Sequence, residues 1–371
     1  MRSNRNKLLL LTLATSLALF AKLYSQSEDI SFRIDQPITV TNQDGQSVQL
    51  VGMQGSSVTF RFANMPDAEA SIPIERNSRI RFSFPYPQNF SDIQMNVLNE
   101  NYDQALRLIR NPPTDLLRFL SIPEPNCNFH LYGEIYFRAL ANAGDANEAV
   151  KASAGIPFGH PNLPAIFVQH AATLLNRIVN DQQVQAAEKL LNILRERLPV
   201  TEFSSIALPV ADKLRLLGEN AIAEGIYKAL SESKDEETRK LGLLWIAYNL
   251  ANTGQTEEAQ KHLIQIGEIT EESSLFGIYC LAHGRLALEQ ENTIQALRYL
   301  SRAMVRTSIA DSYKPEIYFL MIQAYVLEQN MVPARGLTRE MAVFYPQNMW
   351  LESIRTRFPE LKELENPSLS N

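Results

Sequence analysis

The sequence predicts a mainly α protein, a solenoid of six to seven helical hairpins preceded by a small all-β domain. Three observations point there. Apolar residues alternate with period two up to about Phe84, the period lengthens to 3.6 after Phe90, and from there small residues return at a near-fixed interval. With 371 residues, 45% hydrophobic and 20% charged, the chain is long enough for more than one core and too apolar for wholesale disorder.

The first residues read as an export signal. Arg2, Arg5 and Lys7 give a positive flank, and an uncharged Leu- and Ala-rich stretch runs from Leu8 to Ala21. Those 14 residues fall short of the roughly 20 that a membrane helix needs. We assign residues 1–25 to a signal peptide, with cleavage after Ala21 or Ser25, or retention as an anchor, left open. Removing the three cations takes the formal charge from −6 to −9. A mature chain that acidic is a poor phosphate binder, which argues against nucleic acid as a partner. No later run is apolar enough to span a membrane, and the two cysteines, Cys127 and Cys280, stand far apart without metal-ligand spacing, so both read as buried thiols.

A small β domain is expected over 28–86. Val48 and Leu50, then Val58, Phe60 and Phe62, then Ile72 and Ile74, then Ile80, Phe82 and Phe84 alternate with polar residues, so each strand buries one face. Turn signals separate the runs at Asn42-Gln43-Asp44-Gly45, Gly52 to Gly55, Asn64 to Asp67 and Asn77-Ser78. The stretch from Asp44 to Phe84 resembles the SH3-like or Sm-like barrels that precede helical repeats in some bacterial envelope proteins, a resemblance of pattern over one-seventh of the chain. Such barrels bind peptides or cap a neighbour. Arg76, Arg79 and Arg81 form the only basic concentration in this head, and Pro85-Tyr86-Pro87 ends it as a stiff linker.

Helical repeats are expected over 90–360 and a disordered tail over 361–371. Ala105, Ala149, Ala187, Ala223, Ala259, Ala296 and Ala334 stand 44, 38, 36, 36, 37 and 38 residues apart. Their neighbours recur in step. Seven positions later come Ile156, Leu194, Leu230, Ile266, Ala303 and Met341, with Pro112 out of line, and nine positions earlier Leu140, Ile178, Leu214, Leu250, Ala287 and Tyr325, with Asn96 out of line. Gly144, Gly218 and Gly254 fall five positions before their alanines, where a turn between helices needs tolerance of positive φ. Arg177 to Gln183 lacks that glycine. Stacked hairpins of this kind share one continuous core, which a single pair cannot build.

The phasing resembles the tetratricopeptide repeat, most clearly in Leu243–Trp245–Ala247–Leu250–Gly254–Ala259–Ile266 and Ala211–Leu214–Gly218–Ala223–Tyr227–Leu230. The intervals exceed the family's usual length of about 34 residues, and Sel1-like or other helical-hairpin repeats stay open. The resemblance implies a right-handed superhelix whose first helices line a concave groove. Transferred by the alanine phase, the groove positions are Glu134, Arg138, Asn176, Asp212, Arg215, Tyr248, Arg285, Phe319 and Gln323, with Leu244 and Leu281 as apolar platforms. That mixture suits an extended peptide or a partner helix.

Chemistry is sparse. The histidines, His130, His160, His170, His262 and His283, form no HExxH or HxH pair, and neither a GxSxG elbow nor a GxxxxGK[ST] loop is present. Asp235-Glu236-Glu237, Glu257-Glu258 and Glu271-Glu272 read as helix starts, where carboxylates favour the dipole. The expectation is an exported, periplasmic or secreted, non-catalytic scaffold with protein partners, no metal and no cofactor; the alternative is a structural subunit of a cell-envelope transport or assembly complex.

Overall fold

The structure, a computed structural model, describes residues 30–65, 67–109 and 114–364. The expected signal segment, Pro112 and the last seven residues of the expected tail lie outside them. The chain divides into two compact units, residues 1–198 and 199–371.

The first unit begins with a curled five-stranded antiparallel sheet: β1 (Ser31–Asn42), β2 (Ser47–Gln54), β3 (Ser57–Phe62), β4 (Glu69–Pro73) and β5 (Phe82–Ser83), in spatial order β4-β3-β2-β1-β5. The alternation does its work, since Val48, Leu50, Val58, Phe60 and Phe82 are all buried. One turn signal is misplaced. Gly52 lies inside β2, where the register with β3 shifts, and the chain reverses instead at Gly55, with φ of 58°. A Cβ on Gly52 would come within 2.3 Å of the Phe32 carbonyl oxygen, so its glycine answers a close strand approach and not a turn.

No domain boundary follows the strands. The Asn128 side chain accepts from the Phe84 amide at 2.7 Å and donates to the Phe84 carbonyl at 2.9 Å, and the Tyr86 hydroxyl donates to the Asn128 carbonyl. The proline-flanked linker is therefore pinned. Beyond it come α1 (Phe90–Leu98), α2 (Tyr102–Leu108), a 3-10 segment Thr114–Ser121, α3 (Phe129–Ala143), α4 (Ala146–Gly155), α5 (Ile166–Asn180) and α6 (Val184–Arg197). Phe119 of the 3-10 segment meets Phe32 of β1 edge-on at 5.0 Å, fastening sheet to helices.

The second unit is helical throughout its described residues: α7 (Val200–Leu216), α8 (Asn220–Ser231), α9 (Glu236–Asn252), α10 (Thr256–Ile266), α11 (Phe276–Glu289), α12 (Thr293–Arg306), α13 (Lys314–Leu327), α14 (Met331–Phe344) and α15 (Met349–Arg357). A 3-10 turn, Pro359–Leu364, follows with Leu361 buried, so packed structure continues past the expected tail boundary at 361.

The repeated alanines share one structural position. Each of the seven is the fourth residue of the second helix of a hairpin, in α2, α4, α6, α8, α10, α12 and α14, and each is fully buried at 0% exposure. A side chain reduced to one methyl lets the paired helix approach closely there.

The turns share a geometry that their side chains hide. Five positions before the alanine, Glu100, Gln182, Gly218, Gly254, Glu291 and Gln329 all take positive φ, between 56° and 86°. One residue further on, the amides of Asn101, Gln183, Glu219, Gln255, Asn292 and Asn330 donate at 2.8–2.9 Å to the carbonyls of Asn96, Ile178, Leu214, Leu250, Ala287 and Tyr325. That is the Schellman closure of a helix C-terminus, and it occupies the position nine before the alanine each time. Gly144 departs from the expectation: its φ is −72°, and a Cβ there would crowd Leu140 at 2.7 Å, so space and not handedness selects it.

Helix starts follow the carboxylates in part. Asp235 caps α9 by accepting from the Thr238 amide at 2.8 Å, and Glu257 and Glu258 lie in the first turn of α10. Glu271-Glu272 does not start a helix; it sits in the loop before α11, where Glu271 pairs with Arg302 at 2.7 Å.

Candidate functional site

The groove positions transferred from the repeat phase fall on first helices, and the two units treat them differently. In the first unit Glu134, Arg138 and Asn176 are half-buried on α3 and α5. Glu134 meets His170 Nε2 at 2.9 Å, the Arg138 guanidinium lies over the Tyr102 ring at 5.9 Å, and Asn176 donates back to the Ala172 carbonyl. They form no shared cluster.

In the second unit Asp212, Arg215 and Tyr248 converge, whereas Phe319 packs on Trp350 at 4.7 Å beneath the Arg357 guanidinium and Arg285 pairs with Glu289 at 2.6 Å. Asp212 and Arg215 on α7, Tyr248 on α9 and Phe319 on α13 are buried, while Arg285 on α11 and Gln323 on α13 stay partly exposed. Glu316, one turn before Phe319, joins them. Arg215 grips it through two parallel bonds, Nη1 to Oε1 at 2.7 Å and Nη2 to Oε2 at 2.6 Å, and the Tyr248 hydroxyl donates to the same carboxylate. This fork-to-fork pairing joins residues 101 positions apart. The Arg215 guanidinium also lies over the rings of Trp245 at 5.4 Å and Tyr248 at 5.0 Å. Burial is the largest single influence on the Arg215 pKa and lowers it, but the charge and hydrogen bonds of Glu316 together with the neighbouring Tyr248 and Tyr227 outweigh it and leave the pKa well above its ordinary value.

Asp212 sits at the edge of this cluster and is differently placed. Its Oδ2 accepts from the Ser312 hydroxyl at 2.5 Å, while Arg215 Nη2 stands off at 3.9 Å. Burial raises its pKa to about 6, against the lowering pull of Arg215. Several buried atoms facing the cluster have no hydrogen-bond partner on the protein: Asp212 Oδ1, Arg215 Nε and Trp245 Nε1, with Arg285 Nε and Gln323 Oε1 beyond them. Groups of this kind are met in folded proteins by water or by a bound polar molecule.

At this cluster one guanidinium, Arg215, faces two carboxylates, and the Tyr248 and Ser312 hydroxyls donate to Glu316 and Asp212 respectively. Among the described residues no group of three or more His, Cys, Asp or Glu could hold a metal ion, and no helix is long and apolar enough to cross a membrane.

The other residues singled out in the sequence lie apart from it. Cys127 and Cys280 are free and buried, with burial raising their thiols to about 12 and about 11. His130 bonds the Leu120 carbonyl, and His283 stacks on Tyr299 and meets Tyr279 edge-on. Arg76, Arg79 and Arg81 are exposed. Glu316 is the member that sequence reasoning missed. Its only signal was position, since it extends the Phe319–Gln323 stripe by one turn toward the start of α13.

Compared with known proteins, the chain matches no family model and no curated relative.

Proposed function

We propose that the chain is an exported, non-catalytic scaffold of tetratricopeptide-like hairpins that holds a partner protein against the inner face of its second unit. The observation carrying this reading is the convergence of Asp212, Arg215 and Tyr248, each placed by the repeat phase on a first helix, around buried polar atoms without protein partners, with Arg285 near Tyr248. A peptide backbone offers donors and acceptors in the spacing that such atoms need, and aromatic and arginine side chains are the groups most often found at binding hot spots. Seven buried alanines at one position of successive hairpins, with six identical turns, support the tetratricopeptide-like label. The strand order β4-β3-β2-β1-β5 supports reading the sheet as an SH3-like barrel serving as a second contact or a cap.

Because Glu316 occupies Arg215, partner binding at the centre of this face requires the Arg215–Glu316 contact to open, whereas Arg285, paired with Glu289 at 2.6 Å, and Gln323 are partly exposed. The test is photo-crosslinking in the native host from positions 285 and 323, followed by mass spectrometry. Both positions should report the same partner segment, and an Arg285→Ala, Gln323→Ala chain should lose it. Crosslinks to unrelated proteins, or a partner unchanged in that variant, reject the inner face.

The alternative, a structural subunit of an envelope transport or assembly complex, draws on a different observation: large aliphatic side chains stand exposed on the second helices of the same unit.

A further inference from the structure

The second unit contains a junction made by side chains and not by helix packing. α7 packs along α8, and α13 along α12 and α14. Across the inner face, α7 and the start of α13 are joined by two side-chain bonds, Arg215 to Glu316 and Asp212 to Ser312, over 101 and 100 residues of sequence. The Tyr248 hydroxyl adds a bond from α9 to Glu316, and Tyr313, next to Ser312, meets the Trp245 ring edge-on at 5.7 Å. A junction of this kind can part without unwinding a helix or separating a hairpin.

The charges of the junction do not balance. Glu316 takes both terminal nitrogens of Arg215, and Asp212 stands 3.9 Å from the same guanidinium. Asp212 is buried; its Oδ2 accepts from Ser312, and its Oδ1 has no partner on the protein. The groups that face it are Arg215 on its own helix, Tyr227 on α8, Ser312 and Tyr313 before α13, and Glu316 on α13. One positive charge therefore serves two carboxylates. A proton on Asp212 makes the set neutral, and because Ser312 already donates to Oδ2, that proton belongs on Oδ1, where it turns an unmatched acceptor into a donor. Without the proton the set carries one excess negative charge out of water, a state that hydration relieves.

We propose that Asp212 is a proton-operated latch: protonated, it holds α7 to the start of α13, and ionised, it admits water to the junction and lets the inner face open. Burial raises the Asp212 carboxyl to about 6, which puts the change between mildly acidic and neutral pH. Opening returns the group to water, where its ordinary value is 3.8. The ratio of open to closed junctions should consequently rise about tenfold between pH 5 and pH 8. The latch is a property of the chain itself; it rests on the inner-face reading only for what an open face would admit.

Hydrogen exchange of the purified full-length chain, read by mass spectrometry and corrected for the intrinsic effect of pH on exchange, tests the latch. Amides of α7 and of residues 308–318 should open about tenfold more often at pH 8 than at pH 5, while α10, which contributes nothing to the junction, should keep the same protection at both. Asp212→Asn is neutral at either pH and should abolish the difference. Ser312→Ala removes a bond that favours the ionised carboxyl, so it should move the midpoint of opening to higher pH. A second readout is acrylamide quenching of Trp245 in a Trp350→Phe chain, since those are the two tryptophans and Trp245 lies against Arg215. Quenching should increase through the same midpoint. Equal protection of α7 and residues 308–318 at both pH values, a difference that survives Asp212→Asn, or α10 opening in step with α7 overturns the latch. No partner enters these measurements, so a failed latch leaves the crosslinks from positions 285 and 323 to stand or fall separately.

Discussion

Arg215 and Glu316 are each nearly inaccessible, with side chains 3% and 1% exposed, and each is buried as an ion. Desolvating two charges cancels much of their attraction, so the pair is worth little net stability but is costly to halve. Arg215→Ala should lower unfolding free energy by about 3–5 kcal/mol in a urea melt, since it leaves a buried carboxylate alone. Replacing both, Arg215→Met with Glu316→Leu, should restore most of that loss; a double variant as weak as the single one would show that packing, not charge, dominates the site. Two titrations in the second unit have opposite signs. Burial lowers His283 to about 4 from an ordinary 6.5, so its contribution is complete above pH 6.5 and is lost as the pH falls toward 4. His283→Phe should flatten that acid limb, whose slope for one half-buried group lies below about 1.4 kcal/mol per pH unit. Asp212 is raised to about 6, chiefly by burial, so its contribution is complete below about 4 and is lost as the pH rises through 6. Asp212→Asn should therefore stabilise the protein at pH 8 relative to wild type and not at pH 4. The alanine phase placed these positions on first helices, but the burial of Asp212, Arg215 and Tyr248 was not legible, because a chain contact spanning 101 residues leaves no local pattern.

At the scale of the element, the six left-handed turns separate backbone geometry from residue identity. Gly218 and Gly254 have open space where a Cβ would sit, so Gly254→Ala tests handedness alone. It should cost about 1 kcal/mol, the usual penalty for an L-residue at positive φ. Gln329 already bears that penalty at φ of 57°, and Gln329→Gly should raise the melting temperature by up to about 3 °C if it relieves about 1 kcal/mol. Unchanged melting in both variants would mean that the turns are set by the flanking helices. Glycine announced only two of these turns in the sequence. Elsewhere glutamate or glutamine takes the same φ, because a single strained residue is tolerated where the Schellman bonds and the buried alanine fix both sides. The strands were legible for the opposite reason: Val58 and Phe60 alternate inward without help from distant residues.

For the whole molecule, the repeat phase ran smoothly through the point where the chain divides. Ala187 to Ala223 and Ala223 to Ala259 are both 36-residue intervals, yet the first crosses from one unit to the next and the second does not. Sequence periodicity reports that hairpins follow one another; it does not report how closely consecutive ones pack. The strand-to-helix junction shows the converse, since the change of period near Phe90 suggested a boundary and the Asn128 clamp on Phe84 removes it. Each unit thus holds its own long-range contacts. In the second these are four alanine positions, the Arg215–Glu316 bond and the stacked Tyr227–Trp245 pair, all internal to residues 199–371. A fragment of residues 199–371 should consequently fold alone, with helical circular dichroism, a single cooperative urea transition and loss of that cooperativity in Arg215→Ala. A fragment cut at 90, by contrast, should fail to fold from its N-terminal end, because it exposes Phe119, whose partner Phe32 lies in β1, and Asn128, whose partners Phe84 and Tyr86 lie in the linker. Stable folding of residues 90–198 without the strands, or a 199–371 fragment that melts without a cooperative transition, would show that the two units are drawn in the wrong place.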